Sequence, residues 1–348
     1  MSRNARILFL LFALPGWLVR AGAQEAFPLH ATNSAARVVI VQGENIFDAF
    51  LPYDDRVESM FNRGLERLAQ TPSVADAWHR LVATNDTVGI KVFSPPGPLN
   101  GTRPAVVAAI VRGLLAAGLP SDNIIIWDKH AGDLQAAGFF ALGKKLGVRV
   151  AGAAEAGYDP DTFYLPDSPV IGSLVWGDSE IGNTNKTSGV GKKSFVSKLV
   201  SRKITKIISV APLINENDAG TCGHFFSLAL GSVDNTRRFE GDGNRLATAL
   251  PEIIAQPSVG DRATLYVTDA LLGQFQGGPA SYLQYSTTLQ ELWFSHDPVA
   301  LDTLALKELA RERRNFPAAP TKSNFEIYTN AALLQLGIND PARIMVEK

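Results

Sequence analysis

Cysteine is almost missing from this 348-residue chain, where Cys222 stands alone. A single thiol closes no intramolecular disulfide, and without a cysteine cluster neither an iron–sulfur centre nor a thiolate-held structural zinc is expected. Strong charge of either sign is also lacking. The formal net charge is -1 and charged residues make up 19%, so neither a nucleic-acid surface nor an acidic tail is expected. Long apolar runs are few. The stretch from Ile7 to Val19 is short and is interrupted by Pro15 and Gly16, which argues against a membrane span. No Arg-Arg pair precedes it, and no cysteine follows it to carry a lipid. The run GVGKK lacks the first glycine of a phosphate loop and a Ser or Thr directly after the Gly-Lys pair, so nucleotide binding is not indicated.

What the chain does contain begins with Arg3 and Arg6, the apolar stretch, and the small residues Ala21-Gly22-Ala23. That order is a secretory signal peptide over residues 1–23, implying export by the general secretory route to the periplasm or beyond, with no stable membrane anchor. About 325 residues remain after cleavage, enough for a large core.

Residues 87 to 128 give the clearest pattern. TVGIKVF reads as a strand, TRPAVVAAIVRGLLAAG as a helix and NIIIWDK as a second strand. Pro104 suits the first helical turn, Thr102 is a candidate cap and Gly118 suits the helix end. Strand, helix, strand at this spacing makes a right-handed crossover and hence a parallel sheet. The predicted class is α/β, a mainly parallel sheet flanked by helices. Further strands are read at RVVIVQ, VRVAG, residues 204–210 up to Pro212, ATLYVTDALL and ELWFS. Helices are read over 54–83 with a break at Pro72-Ser73, over 133–146, over 243–255, and after Asp297-Pro298 as cap and first turn. Residues 155–195, rich in proline, glycine and polar residues, read as an inserted small β-rich lobe.

The candidate site centres on Ala211 to Glu240. In an open α/β sheet, ligands sit beyond the carboxyl ends of the strands. There the chain places Asn215, Asn217 and the Gly220–Gly223 turn ahead of a helix whose N–H groups suit an anion. Arg237-Arg238 form a guanidinium pair suited to carboxylate or phosphate, or else a solvated helix end. Lys91 sits in an apolar strand, so it must emerge at the strand end or meet a carboxylate. Asp128, His130 and Asp269 are read at neighbouring strand ends, with a helix cap as the other reading of Asp128. Cys222 is either a small buried hydrophobe or a nucleophile.

The series GIKVF, TRPAVVAAIVRGLLAAG, NIIIWDK, ISVAPL, AGTCGHFFSLALGSVDNTRRF, VTDALLGQFQGGP, SHDPVALD and LGINDPARI resembles the domain of unknown function 362 family over residues 37–346. The resemblance implies an α/β protein, sometimes exported. Ferredoxin-type modules, fused to some members, are absent here. Many members carry Lys and His where this chain has Asn215 and Asn217, and Lys-Asn where it reads Phe226-Ser227. If those positions hold a divalent metal in the family, the carboxamides here, with Glu216 and Asp218 adjacent, are the remaining ligands for a hard cation. A more distant similarity is to the nickel-pincer lactate racemases, through the helix start at Thr-Arg-Pro and the glycine-rich His segment. It implies proton transfer by rim histidines, here His130, His224 and His296.

Two functions follow as expectations. One is an enzyme acting on a small anionic substrate at the strand carboxyl-end rim, with Lys91, Asp128, His130 and Asp269 as catalytic candidates and Asn215, Asn217, Gly220, Arg237 and Arg238 binding substrate. The other is a non-catalytic ligand-binding protein of the cell envelope. A perturbed titratable pair within hydrogen-bond reach in the cleft favours the first, and carboxamides and arginines alone favour the second.

Overall fold

The computed structural model describes residues 35–165, 193–314, 316 and 323–348. The signal peptide and most of the inserted segment read at 155–195 lie outside the described residues.

In chain order the main elements are β1 (Ala36–Gln42), β2 (Phe47–Asp48), β3 (Leu51–Pro52), α1 (Asp54–Ala69), α2 (Val74–Leu81), β4 (Val88–Val92), α3 (Gly97–Asn100), α4 (Pro104–Ala116) and β5 (Ile124–Asp128). Then come α5 (Ala131–Ala136), α6 (Phe139–Leu146), β6 (Arg149–Gly152), β7 (Tyr158–Tyr164), β8 (Ser194–Ser197), β9 (Lys206–Ile214) and α7 (His224–Ser232). The chain closes with α8 (Gly243–Ile254), β10 (Ala263–Gln274), β11 (Ser286–Ser295), α9 (Pro298–Arg313), α10 (Glu326–Leu333) and β12 (Ile344–Glu347).

Eight strands form one sheet in the order β12-β1-β11-β10-β9-β4-β5-β6. All of its pairings are parallel except the two made by β11, which runs against both β1 and β10. This is the α/β class expected, a mainly parallel sheet between helical layers. Alternate residues divide the core. Val88, Ile90, Val92, Ile126, Ile208 and Val210 face α1, α2, α4 and α6, while Ile125, Trp127, Ile207 and Leu213 face α7, α8 and α9. The central strands are buried on both sides, as continuous β-branched runs require. β7 and β8 form a separate two-stranded antiparallel ribbon at the flanks of the inserted segment.

Several boundaries differ from the sequence reading. β9 continues through Pro212 to Ile214. Val210, two residues earlier on the same edge, is where β4 stops, and Thr102 takes its carbonyl. The N–H that Pro212 lacks therefore faces an edge where the ladder has already ended. Thr102 does not cap α4: its hydroxyl bridges Phe93 N–H and Val210 C=O, and Arg103 holds the cap position. The helix read over 133–146 is two helices, broken where Gly138 takes a left-handed φ of 87°.

Candidate functional site

Topology names the first place to look. From β4 the chain proceeds to β5 on one side, whereas from β9 it proceeds to β10 on the other. The carboxyl ends of β4 and β9 thus flank a switch point, where open sheets bind ligands. Here that crevice is filled. Phe93, Ile214 and Cys222 are buried together with Phe226 packed against them, the Phe93 and Phe226 rings meeting edge-on at 6.3 Å. Cys222 is wholly buried, and burial, with Glu216 and Asp302 nearby, pushes its thiol well above the ordinary range. That environment suits a packed hydrophobe and disfavours a thiolate.

Lys91 lies beneath this plug, on the face of β4 covered by α7. It is fully buried and its ammonium donates to Asp128 Oδ1 at 2.8 Å, Ser227 Oγ at 2.9 Å and Val92 C=O at 2.5 Å. Three donors meet three acceptors. Burial pulls the amine below its usual value while Asp128 opposes the shift. Asp128 is just as complete, since Oδ1 also accepts Lys129 N–H and Oδ2 accepts both N–H and Oγ–H of Ser94. The carboxylate therefore joins the ends of β4 and β5, and is not the cap of the next helix, where His130 holds the cap position.

Asp269 does not join them. It lies within β10, which runs on to Gln274, and on the sheet face that α4 covers. There it accepts Arg103 N–H at 2.9 Å and the Arg103 guanidinium at 2.7 Å. Strand β9 separates it from Lys91, so the two cannot act on one atom.

The predicted anion site at the start of α7 is occupied by the chain itself. Asp302, from α9, accepts the N–H of His224 at 2.8 Å and of Phe225 at 3.0 Å. A Cβ at Gly223 would collide with that carboxylate. Burial raises Asp302 to about 7.

Three histidines read at the rim are dispersed. His224 is buried between Ser209 Oγ at 2.9 Å and Thr268 Oγ1 at 3.2 Å, and burial lowers it to about 3, so the ring is neutral. His296 contacts Thr264 C=O, near the amino end of β10 and so at the opposite rim. His130 stays at the carboxyl-end rim and is exposed. The arginines are also apart from Lys91 and Asp128: Arg238 reaches Ser194 Oγ and Asn235 C=O, and Arg237 is exposed on a 3₁₀ turn. Lys129, next to Asp128, donates to Thr236 Oγ1 at 2.6 Å.

An accessible cleft of about 360 Å³ opens beside the plug, where the loop after β9 faces the starts of α8 and α10. Asn217 and Asp218 form one wall, Asp242, Gly243 and Asn244 a second, and residues 323–326 the third. Asn324 braces it by donating to Asp218 C=O at 2.9 Å and Gly243 C=O at 2.7 Å. Gly220, at φ 89°, turns the loop against Leu306 and Asn324. Behind Asn217 lies Asn215, fully buried, its amide nitrogen 3.5 Å from Asn217 Oδ1 and its own Oδ1 without a donor among the described residues. Glu216 turns inward to accept Asp218 and Ala219 N–H. Among the described residues no group of three or more His, Cys, Asp or Glu side chains is placed to hold a metal ion.

Sequence reasoning reached Asn215, Asn217 and Gly220 but not Asp242, Asn244, Asn324 or Glu326. Of these only Asp242 left a trace, as an Asp directly before a predicted helix.

No family model matches the chain, and no curated protein matches it. Among solved structures it is similar to a Thermotoga maritima protein from the Northeast Structural Genomics Consortium, at 9% identity and a TM-score of 0.40. The match covers 79% of this chain and 60% of that one.

Proposed function

We propose that this chain is an exported ligand-binding protein of the domain of unknown function 362 type, taking a small polar ligand in the cleft between the β9 loop, α8 and α10. The observation that carries the reading is a contrast in access. Titratable pairs Lys91–Asp128 and Arg103–Asp269 are both buried, the first with its bonding positions filled, whereas the accessible cleft offers carboxamides and carboxylates. Its volume lies in the range of small-molecule sites, and its polar groups converge from three elements. Asn217, Asn244 and Asn324 both donate and accept, and Phe325, about half exposed, gives an apolar platform at the mouth.

A thermal-shift screen of small polar compounds against the full chain tests this. A ligand present at 100 times its Kd adds about 2.7 kcal/mol to stability, a readily measured rise in melting temperature. Asn244→Arg, at an exposed position lining the cleft, is expected to abolish the shift and leave the unliganded melting point unchanged. A shift that survives Asn244→Arg places binding elsewhere and ends the proposal.

The second reading, an enzyme acting on a small anion at the rim, rests on Lys91 and Asp128 at 2.8 Å. It requires the pair to be uncovered during turnover. Isotope exchange into a panel of small hydroxy and keto acids, lost in Lys91→Met, would support it.

A further inference from the structure

We infer that Asp302 is a pH-sensitive latch: as a carboxylate it ties the start of α7 to α9 and α10, and as the neutral acid it lets that start loosen, together with the loop that forms one wall of the cleft.

The geometry comes first. Asp302 stands in the opening turns of α9 and is 1% exposed. Its Oδ1 accepts His224 N–H at 2.8 Å, and its Oδ2 accepts Phe225 N–H at 3.0 Å and the Tyr328 hydroxyl at 3.4 Å. One side chain therefore joins three helices, and the Phe225 and Tyr328 rings add an edge-on contact at 5.8 Å between two of them. A Cβ at Gly223 would lie 2.2 Å from Oδ1, so the backbone comes this close only as glycine. Two walls of the cleft depend on the junction. Asn217 and Asp218 lie on the loop that leads into α7, and Phe325 and Glu326 open α10.

Among the described residues the surroundings of Asp302 hold donors and no cation. Facing it are His224 from α7, Cys222 from the loop before it, Tyr266 from β10, Tyr328 from α10 and Asp297 from the cap of α9. Burial keeps His224 neutral, lowering it to about 3, and holds the Cys222 thiol and both tyrosine hydroxyls protonated by raising them. Asp297 adds like charge. The N–H donors and the tyrosine favour the carboxylate, but burial outweighs them and sets Asp302 at about 7. Below that pH the group is neutral. The oxygen that takes the proton turns from acceptor to donor, and the N–H opposite it loses its partner. Above that pH the carboxylate accepts all three donors, and its charge meets the positive end of α7.

The test is amide hydrogen exchange of the full chain from about pH 5.5 to 8.5, corrected for the intrinsic pH dependence of exchange and read on peptides from the start of α7 and, as reference, from α4. In wild type, protection at the start of α7 is expected to rise about tenfold across this range with a midpoint near 7, while α4 stays level. Asp302→Asn has the donor and acceptor of the neutral acid, so its α7 protection should stay at the acid level of wild type throughout. Asp297→Asn keeps the cap on Ala300 and removes the like charge, so the rise should persist with its midpoint slightly lower.

Level protection of α7 in wild type overturns the latch. A rise that survives in Asp302→Asn, or disappears in Asp297→Asn, assigns the titration to another group and overturns it as well. Should Asp302→Asn fail to fold, wild type and Asp297→Asn decide between them. The exchange profile needs no ligand, so the latch and the ligand-binding reading stand or fall separately.

Discussion

Beneath α7, Lys91 gives all three of its N–H bonds to Val92, Asp128 and Ser227, while in the loop after β9 Asn215 holds a buried carbonyl oxygen with no donor among the described residues. Both are polar groups at carboxyl ends of central strands, and both stood out in the sequence for that reason. They differ in completeness. The Lys91 network closes on itself, with Ser94 and Lys129 completing Asp128 and with Ser209, His224 and Thr268 continuing the polar layer over the sheet. A closed network in a low-dielectric interior fixes the register of β4, β5 and α7, and it leaves no position for a ligand atom. The carboxamide of Asn215, whose nitrogen lies 3.5 Å from Asn217 Oδ1, has no such closure.

Breaking the closed network should have the largest effect. Lys91→Met removes the cation and leaves Asp128 charged and buried, which is expected to cost about 3–5 kcal/mol in urea unfolding. A loss below about 1 kcal/mol would mean that Asp128 reaches water, and the Lys91–Asp128 pair would return as a reactive site.

Next is pH. Asp302 has a folded value of about 7 against an ordinary 3.8, caused first by burial. A raised folded value means its contribution to stability is full below pH 4 and is lost as pH rises through 7. His224, lowered to about 3 by burial, works in the opposite sense and loses its contribution as pH falls from 6.5 toward 3. Asp302→Asn removes only the first. The stability difference between wild type and variant should therefore shrink with rising pH across 4 to 7, by up to about 1.4 kcal/mol per unit. A pH-independent difference would show that Asp302 does not titrate there.

A smaller loss is expected at the packing of α7 on the sheet. A Cβ at Gly231 would strike the Lys91 side chain, which its three bonds hold in place. Gly231→Ala should cost about 1–3 kcal/mol as overpacking. Combined with Lys91→Met it should cost less than the sum of the two single changes, because the thioether can shift where the pinned ammonium cannot.

How far these differences could be read from sequence depends on range. The β4–α4–β5 crossover and the start of α9, with Asp297 as cap accepting Ala300 N–H and Pro298 in the first turn, follow from local periodicity and cap chemistry. The need of Lys91 for a carboxylate was legible because an apolar strand makes an unpaired lysine costly. That Asp128 met the need, and that Asp269 went to Arg103 on the other face, was not. Period-2 alternation assigns a residue to a face only once its strand's register is known, and the bulge in β10 between Ala270 and Leu272 disturbs that register. Asp302 at the start of α7 was hidden for a similar reason, since a cap supplied from another helix 77 or 78 residues away leaves no local pattern. The cleft is assembled from three loops distant in sequence, so its residues carry no shared spacing.

The finest test separates structure from ligand binding within one side chain. Asp242 is the N-cap of α8, accepting Asn244 and Arg245 N–H, and it also lines the cleft. Asn caps as well as Asp does, so Asp242→Asn should change stability by no more than about 0.5 kcal/mol. It removes one of three cleft carboxylates, so affinity for a charged compound found by the thermal-shift screen should change severalfold, and the change should be larger at low salt, where charge is less screened. Stability unchanged with affinity altered would divide the two roles of Asp242. Affinity unchanged at every salt concentration would mean that this carboxylate serves the helix alone.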